Sequence, residues 1–246
     1  MSMSHRIQRL EAKGLVKAYR GRKVVDEINI ALNRNEIIGL LGPNGAGKTT
    51  TFYMMIGLIR PDNGRIFLDE EDITDDPIYT RARRGMTYLP QEPSIFRKLT
   101  VEENLLAILE GIHISSYEVK ERLKTLLAEL GISHLAKQKA SSLSGGERRR
   151  LEITRSLITE PRFMLLDEPF SGIDPLVLND IKLIIRQLKE RGMGIIISDH
   201  NVREILDVCD SAYIINQGSI IEMGPPDEIV QSEIARSIYL GESFNL

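Results

Sequence analysis

The chain has 246 residues, and its 32 lysines and arginines against 35 aspartates and glutamates leave a formal charge of −3. That near-balance argues against a protein whose main task is coating nucleic acid, and 42% hydrophobic with 27% charged residues argues against disorder over most of the length. The single cysteine, Cys209, excludes an intrachain disulfide framework and a cysteine-built zinc site.

Length alone allows one large domain or two small ones. Apolar runs such as Ile37–Leu41 and Phe163–Leu166 fall far short of the about 20 residues that span a bilayer. The start from Met1 to Leu10 is polar and unlike a signal peptide, so a soluble, reducing-compartment protein is expected. Along the chain, Ile28, Ile30 and Leu32 alternate with polar neighbours as in a strand buried on one face. Ile37-Ile38-Gly39-Leu40-Leu41 is continuous enough for a parallel strand buried on both faces. A helical run follows through Phe52, Met54, Met55 and Leu58.

Residues 76–155 read as mainly helical. Asp76-Pro77 looks like an N-cap with proline at the first helical position. Thr100 with Glu103 and Ser115 with Glu118 form capping boxes, and Gly131 stops the second helix. Then Phe163–Leu166 is a buried strand, Val177, Ile181, Ile184 and Leu188 make a helix face, and Gly194–Ile197 is a strand again. Ala212–Ile215, Gly218 and Ile220-Ile221 suggest a hairpin. Strands alternating with helices imply an α/β core with a parallel sheet, here carrying a helical insertion.

Gly42-Pro43-Asn44-Gly45-Ala46-Gly47-Lys48-Thr49 fits G-x-x-x-x-G-K-[ST] between a buried strand and a helix, the context this motif requires. Its glycines let backbone N–H groups turn inward around phosphate oxygens, and the helix N-terminus adds positive potential. Lys48 is placed to reach the β- and γ-phosphates, Thr49 to offer its hydroxyl to Mg2+, and Thr50 to line the same turn. The chain is therefore expected to bind a nucleoside triphosphate. Asp167 and Glu168 arrive at the carboxyl end of a strand, where open α/β sheets bind ligands. Asp167 is expected to hold metal through water and Glu168 to polarise the attacking water. A plainer reading makes Glu168 a helix-start carboxylate.

Ser144-Gly145-Gly146-Glu147 is a third capping box, yet interior glycines cost a helix about 0.8–1.0 kcal/mol each. What two glycines gain is close approach of the backbone, and free N–H groups at a helix start make a second anion site. Two phosphate-binding devices with one P-loop fit a two-fold dimer, in which the Ser144 loop of one chain covers ATP held by the other.

With these motifs the chain resembles the nucleotide-binding subunits of ABC transporters over essentially its whole length. The resemblance implies one nucleotide-binding domain over 1–246. Its P-loop NTPase core pairs a RecA-like parallel sheet with an antiparallel β subdomain, and a helical subdomain is inserted at roughly 92–160. Tyr19 is similar to the aromatic residue that stacks on adenine, and Gln91 to the glutamine that senses Mg2+ and water. Ser171-Gly172-Ile173-Asp174 resembles the loop that crosses the dimer interface, and His200 the switch histidine at the γ-phosphate. By the same resemblance Ser144, Gly145, Gly146, Glu147 and Asp174 contact ATP, and Thr49, Gln91 and Asp167 serve Mg2+.

Leu89 to Thr100, Asp199 to Glu204 and the ending Tyr239 to Phe244 further resemble the ATPases of lipopolysaccharide exporters. That likeness implies a homodimer with ATP at its interface under two membrane permeases, with Phe96 and Arg97 in the groove that receives them. It also implies a cytoplasmic protein peripheral to the inner membrane, with no nucleic-acid partner and no insertion of its own. Tyr239 and Phe244 would lie at dimer contacts, and Pro93 departs from the usual alanine. Phe96 packed into its own domain is the plainer reading of that residue. ATPases of branched-chain amino-acid importers share the Tyr-Leu-Gly-Glu ending and are the alternative. A DNA-repair or ribosomal role is a third reading, against which the short spacing from P-loop to Ser144 and the single cassette argue. Arg148-Arg149-Arg150 reads as a solvated helix face with ion pairs, and His5, His113 and His134 as surface or packing residues.

Overall fold

The computed structural model describes residues 8–241 and 244. The polar start from Met1 to Ile7, with His5, and the Glu242-Ser243 part of the ending lie outside the described residues.

Two long strands, β1 (Arg9–Tyr19) and β2 (Arg22–Asn33), lead into β3 (Ile37–Leu41) and α1 (Lys48–Ile56). β4 (Asn63–Leu68), β5 (Glu71–Asp72), α2 (Ile78–Arg83) and β6 (Met86–Leu89) follow. Three helices come next: α3 (Val101–Leu109), α4 (Ser116–Glu129) and α5 (Gly145–Leu157). The last part runs β7 (Phe163–Asp167), α6 (Pro175–Glu190), β8 (Gly194–Ser198), α7 (Val202–Val208), β9 (Ser211–Asn216) and β10 (Ser219–Gly224). It ends in α8 (Pro226–Gln231), α9 (Glu233–Ala235) and a π turn at Arg236–Leu240.

One sheet is antiparallel, in the order β2-β1-β4-β5. The other runs β10-β9-β3-β8-β7-β6, parallel except for β10. Every residue of β3, β7 and β8 is buried, because both faces of the parallel sheet are covered. Alternation at period two divides their side chains between two cores. Ile38, Leu165 and Ile196 face the antiparallel sheet and Phe52 and Met54 of α1. Ile37, Leu166 and Ile195 face a core shared with Leu151 of α5 and Ile181 of α6.

The expected strands, the late hairpin and all three capping boxes are present. Three expectations need correction. The stretch from 76 to 155 is interrupted by β6, which pairs with β7 and extends the parallel sheet. Asp76 does not cap α2: its carboxylate pairs with Arg84 at 2.8 Å, and extended Pro77 takes the N-cap position. Arg149 is buried, so the arginine run is not a uniformly solvated face, although its ion-pair half holds through Arg149–Glu152 and Arg150–Asp180.

The strand order explains the site. β3, β8, β7 and β6 lie side by side and parallel, so the segments leaving their carboxyl ends share one edge. Those segments are the P-loop, Ser198–His200, Asp167–Glu168 and Pro90-Gln91.

Candidate active site

The P-loop turns into α1 through Gly47 at φ 111°, where a Cβ would stand 2.5 Å from the Val24 carbonyl oxygen. Only glycine fits there without strain. No side chain caps α1 and no acidic residue sits in its first turn, so its leading N–H groups remain open to an anion. Lys48 folds back over the loop, its Nζ donating to the carbonyls of Gly42 at 2.6 Å and Pro43 at 3.1 Å. Burial lowers the Lys48 ammonium below its ordinary value, against the pull of Glu168, Asp167 and Asp199. Tyr19, Val24, the residues from Asn44 to Thr50, Glu168 and Ser198 line a cleft of about 290 Å³.

Asp167 ends β7 almost fully buried. Its Oδ2 accepts a hydrogen bond from the Tyr88 hydroxyl at 3.1 Å, and the Thr49 hydroxyl bonds the same carboxylate. Burial raises the Asp167 carboxyl above its ordinary range, opposed by those two hydrogen bonds and by Lys48. Burial likewise pushes the Tyr88 phenol up. Among the described residues no group of three or more His, Cys, Asp and Glu side chains could enclose a metal. The oxygen donors at this edge, one carboxylate beside one hydroxyl, suit a hard cation that keeps waters and phosphate oxygens as its other ligands.

Glu168 adopts φ 48°, a left-handed conformation that costs a branched-chain-free but β-carbon-bearing residue about 1–3 kcal/mol. Its own N–H donates to the Ser198 carbonyl at 2.6 Å, which ties β7 to β8 at this turn. Gln91 Nε2 donates to Glu168 Oε2 at 2.6 Å, and His200 Nδ1 lies 3.5 Å from the same oxygen. Buried Asp199 anchors the turn beneath, accepting from the N–H groups of Phe170 and Asn201 at 2.9 Å each. Glu168, Gln91 and His200 are therefore one cluster at the mouth of the P-loop cleft.

Ser144, Gly146, Glu147 and Asp174 do not line that cleft. Ser144 accepts from the Glu147 N–H at 3.4 Å, and Glu147 Oε2 accepts from the Ser144 N–H and hydroxyl at 2.8 Å each. These bonds hold the Glu147 carboxyl below its ordinary range. Part of the glycine pair has an internal cause. A Cβ on Gly146 would stand 2.3 Å from Val177 Cγ1, so α5 packs on α6 through that position. Gly145 and Gly172 face an adjoining hollow that also includes Gln91, Arg148 and Glu168, the last of which it shares with the P-loop cleft.

Phe96 is 45% exposed. The loop that carries it is clamped from behind by buried Asn104, which accepts from the Phe96 N–H at 2.8 Å and donates to its carbonyl at 3.1 Å. The Arg155 guanidinium stands 4.7 Å from the Phe96 ring centre. Arg97 is exposed beside it. Tyr239 and Phe244 are half-buried against the helical core of their own chain.

Tyr88, Ser198, Asp199 and Arg149 were not singled out by the sequence for these roles. Arg149 reaches furthest, its guanidinium donating to the carbonyls of Pro90, Asp167 and Pro169 at 3.2–3.3 Å.

A family model described as ABC transporter matches residues 25–171. The chain belongs to the ABC transporter family. It is 53% identical to the Haemophilus influenzae lipopolysaccharide export system ATP-binding protein LptB, over 96% of this chain and 99% of that one. To the protein of the same name from Escherichia coli K12 it is 52% identical, with the same coverage. The crystal structure of an ABC transporter ATP-binding cassette in its ADP conformation superposes with a TM-score of 0.86 at 28% identity, covering 96% of this chain and 100% of that one. As an ABC ATPase the chain hydrolyses ATP, and the parallel sheet, antiparallel sheet and helical insertion are those of the ABC cassette. Among the described residues no helix is long and apolar enough to cross a membrane.

Proposed function

We propose that this ATPase drives lipopolysaccharide export from the cytoplasmic face of the inner membrane, as a homodimer beneath two membrane permeases. The likeness to the LptB proteins over nearly the whole length of both chains carries the substrate class. The dimer is supported by geometry: the Ser144 loop is built at a helix start but stands outside the cleft of its own chain. A second copy, turned head to tail, is the simplest source of the missing wall.

In this reading Lys48 and the open N–H groups of α1 grip the triphosphate from one chain, and the Ser144 loop and Asp174 close on it from the other. Tyr19, nearly half exposed at the cleft, offers its ring to the base. Thr49 and Asp167 would hold Mg2+, with Gln91 nearby; the ion would supply charge neutralisation on the phosphate oxygens. Glu168 accepts the proton of the attacking water, and Gln91 and His200 keep its carboxylate turned toward the cleft. Loss of the γ-phosphate contact weakens the closed state, a ligand-biased two-state change. The Gln91–Thr100 segment transmits it, with Phe96 and Arg97 as anchors for a permease helix.

The test is mass spectrometry of what co-purifies with the full chain from detergent-solubilised source membranes, with Phe96→Ala alongside. Lipopolysaccharide-export permeases, depleted in the variant, are expected. Amino-acid permeases would overturn the substrate class, and undiminished capture by the variant would overturn the anchor.

A further inference from the structure

The tyrosine before the Gln91 turn is not accounted for by nucleotide contact. Tyr88 does not line the P-loop cleft, yet its side chain is half-buried and aimed at the one carboxylate that ends β7. Parallel pairing sets it there: Tyr88 is registered with Leu165 and Leu89 with Leu166, so β6 runs alongside the strand that delivers Asp167. The Tyr88 ring is braced edge-on by Tyr53 of α1, with centroids 6.0 Å apart and planes at 87°. The same helix carries Thr49 in its first turn.

Asp167 faces a chemical difficulty. It is 4% exposed, so its carboxylate has little water to satisfy it, and an unpartnered buried carboxylate is costly. A phenol is protonated at neutral pH and acts on a carboxylate as a donor. We propose that Tyr88 is a positioning residue for the metal site: its hydroxyl fixes one oxygen of Asp167, leaving the rest of the carboxylate turned toward Mg2+. Thr49 is compatible with this arrangement, because a hydroxyl can donate its single proton to Asp167 and keep lone pairs for a cation. Partners of this kind set the orientation of a metal ligand and are worth about 10–100-fold in metal affinity.

This inference rests on the reading of Thr49 and Asp167 as the Mg2+ site. The test is Tyr88→Phe, which keeps the ring and its packing on Tyr53. A fluorescent ATP analogue is titrated onto the full chain in EDTA, then at rising MgCl2, with melting temperatures recorded in parallel. The expected result is unchanged affinity in EDTA and an approximately tenfold or larger rise in the MgCl2 needed for half of the metal-dependent gain. Equal MgCl2 dependence in the two proteins would overturn the proposal. So would a loss of affinity of the same size in EDTA and in MgCl2, which would make the hydroxyl a prop of the cleft as a whole. If the wild-type chain itself shows no metal-dependent gain, the Mg2+ reading fails first. Should Tyr88→Phe melt early, Tyr53→Leu, which removes the ring braced edge-on against Tyr88, must reproduce the MgCl2 shift in weaker form, and its failure to do so overturns the proposal.

Discussion

Two helix starts in this molecule, α1 and α5, carry glycine, yet they are finished differently. α1 begins after Gly47 with no side-chain cap and with Lys48 as its first residue. α5 begins after Ser144 with a complete capping box, and the Glu147 carboxylate occupies the space in front of the Ser144 N–H. The first leaves its leading N–H groups open to an anion. The second already satisfies itself, so a phosphate there must compete with a carboxylate of the same sign. In the proposed reading this asymmetry has a use: one helix start would bind nucleotide alone, and the other would engage it only when a partner chain presents it.

Removing the chemistry while leaving both helix starts intact gives the largest effect. Glu168→Gln should bind ATP normally while steady-state turnover falls about 10²–10⁴-fold, the usual worth of a general base. Near-normal turnover would remove Glu168 from that role. Next comes the seat of α5. Gly146→Val places side-chain atoms where Val177 already stands, and overpacking of this kind costs about 1–3 kcal/mol. A lowered melting temperature with unaltered ATP binding at α1 is expected, and Val177→Ala should relieve it. Wild-type melting in the single variant would mean that α5 and α6 are not fixed through this contact.

Smaller still is Ser144→Ala, which deletes a cap worth about 1 kcal/mol. Chemical denaturation should show that loss, and no loss would mean that the box does not hold α5. The gentlest probe is acid. Glu103, Glu118 and Glu147 are all held below the ordinary value of 4.5 by their boxes. A depressed folded value means stability that is present above 4.5 and lost as pH falls through the lower, folded value. Denaturation midpoints at pH 6 and near pH 3.5 should differ less in a triple Glu→Gln variant than in the wild type; an equal drop would place the acid sensitivity elsewhere.

Much of the fold was legible because its signals are local. Ile37–Leu41 and Phe163–Leu166 are unbroken apolar runs followed by motif residues, and each capping box is complete within four positions. β6 was hidden because Met86–Leu89 is only four residues long and gains its identity from pairing with β7. Arg149 was hidden in a run of three arginines, since α5 turns one of them inward while Arg148 and Arg150 stay nearer the surface. Lys48, Asp167, Glu168, Gln91 and His200 could be read individually, but their convergence follows from the strand order β3-β8-β7-β6. Tyr88 and Asp199 hold the cluster from behind, through contacts that join separate strands or turns and leave no spacing signal. Half of the case for two glycines before Glu147 proved to be packing on Val177, which no local pattern reveals.

The central claim is that the cleft of one chain is completed by the Ser144 loop of another. Its most direct measurement is light scattering of Glu168→Gln with ATP or ADP, beside the double variant that adds Ser144→Arg. The account predicts twice the chain mass with ATP only, and a single chain with ATP still bound in the double variant. A mass that ignores the nucleotide, or an ATP-dependent dimer that tolerates Ser144→Arg, would contradict it.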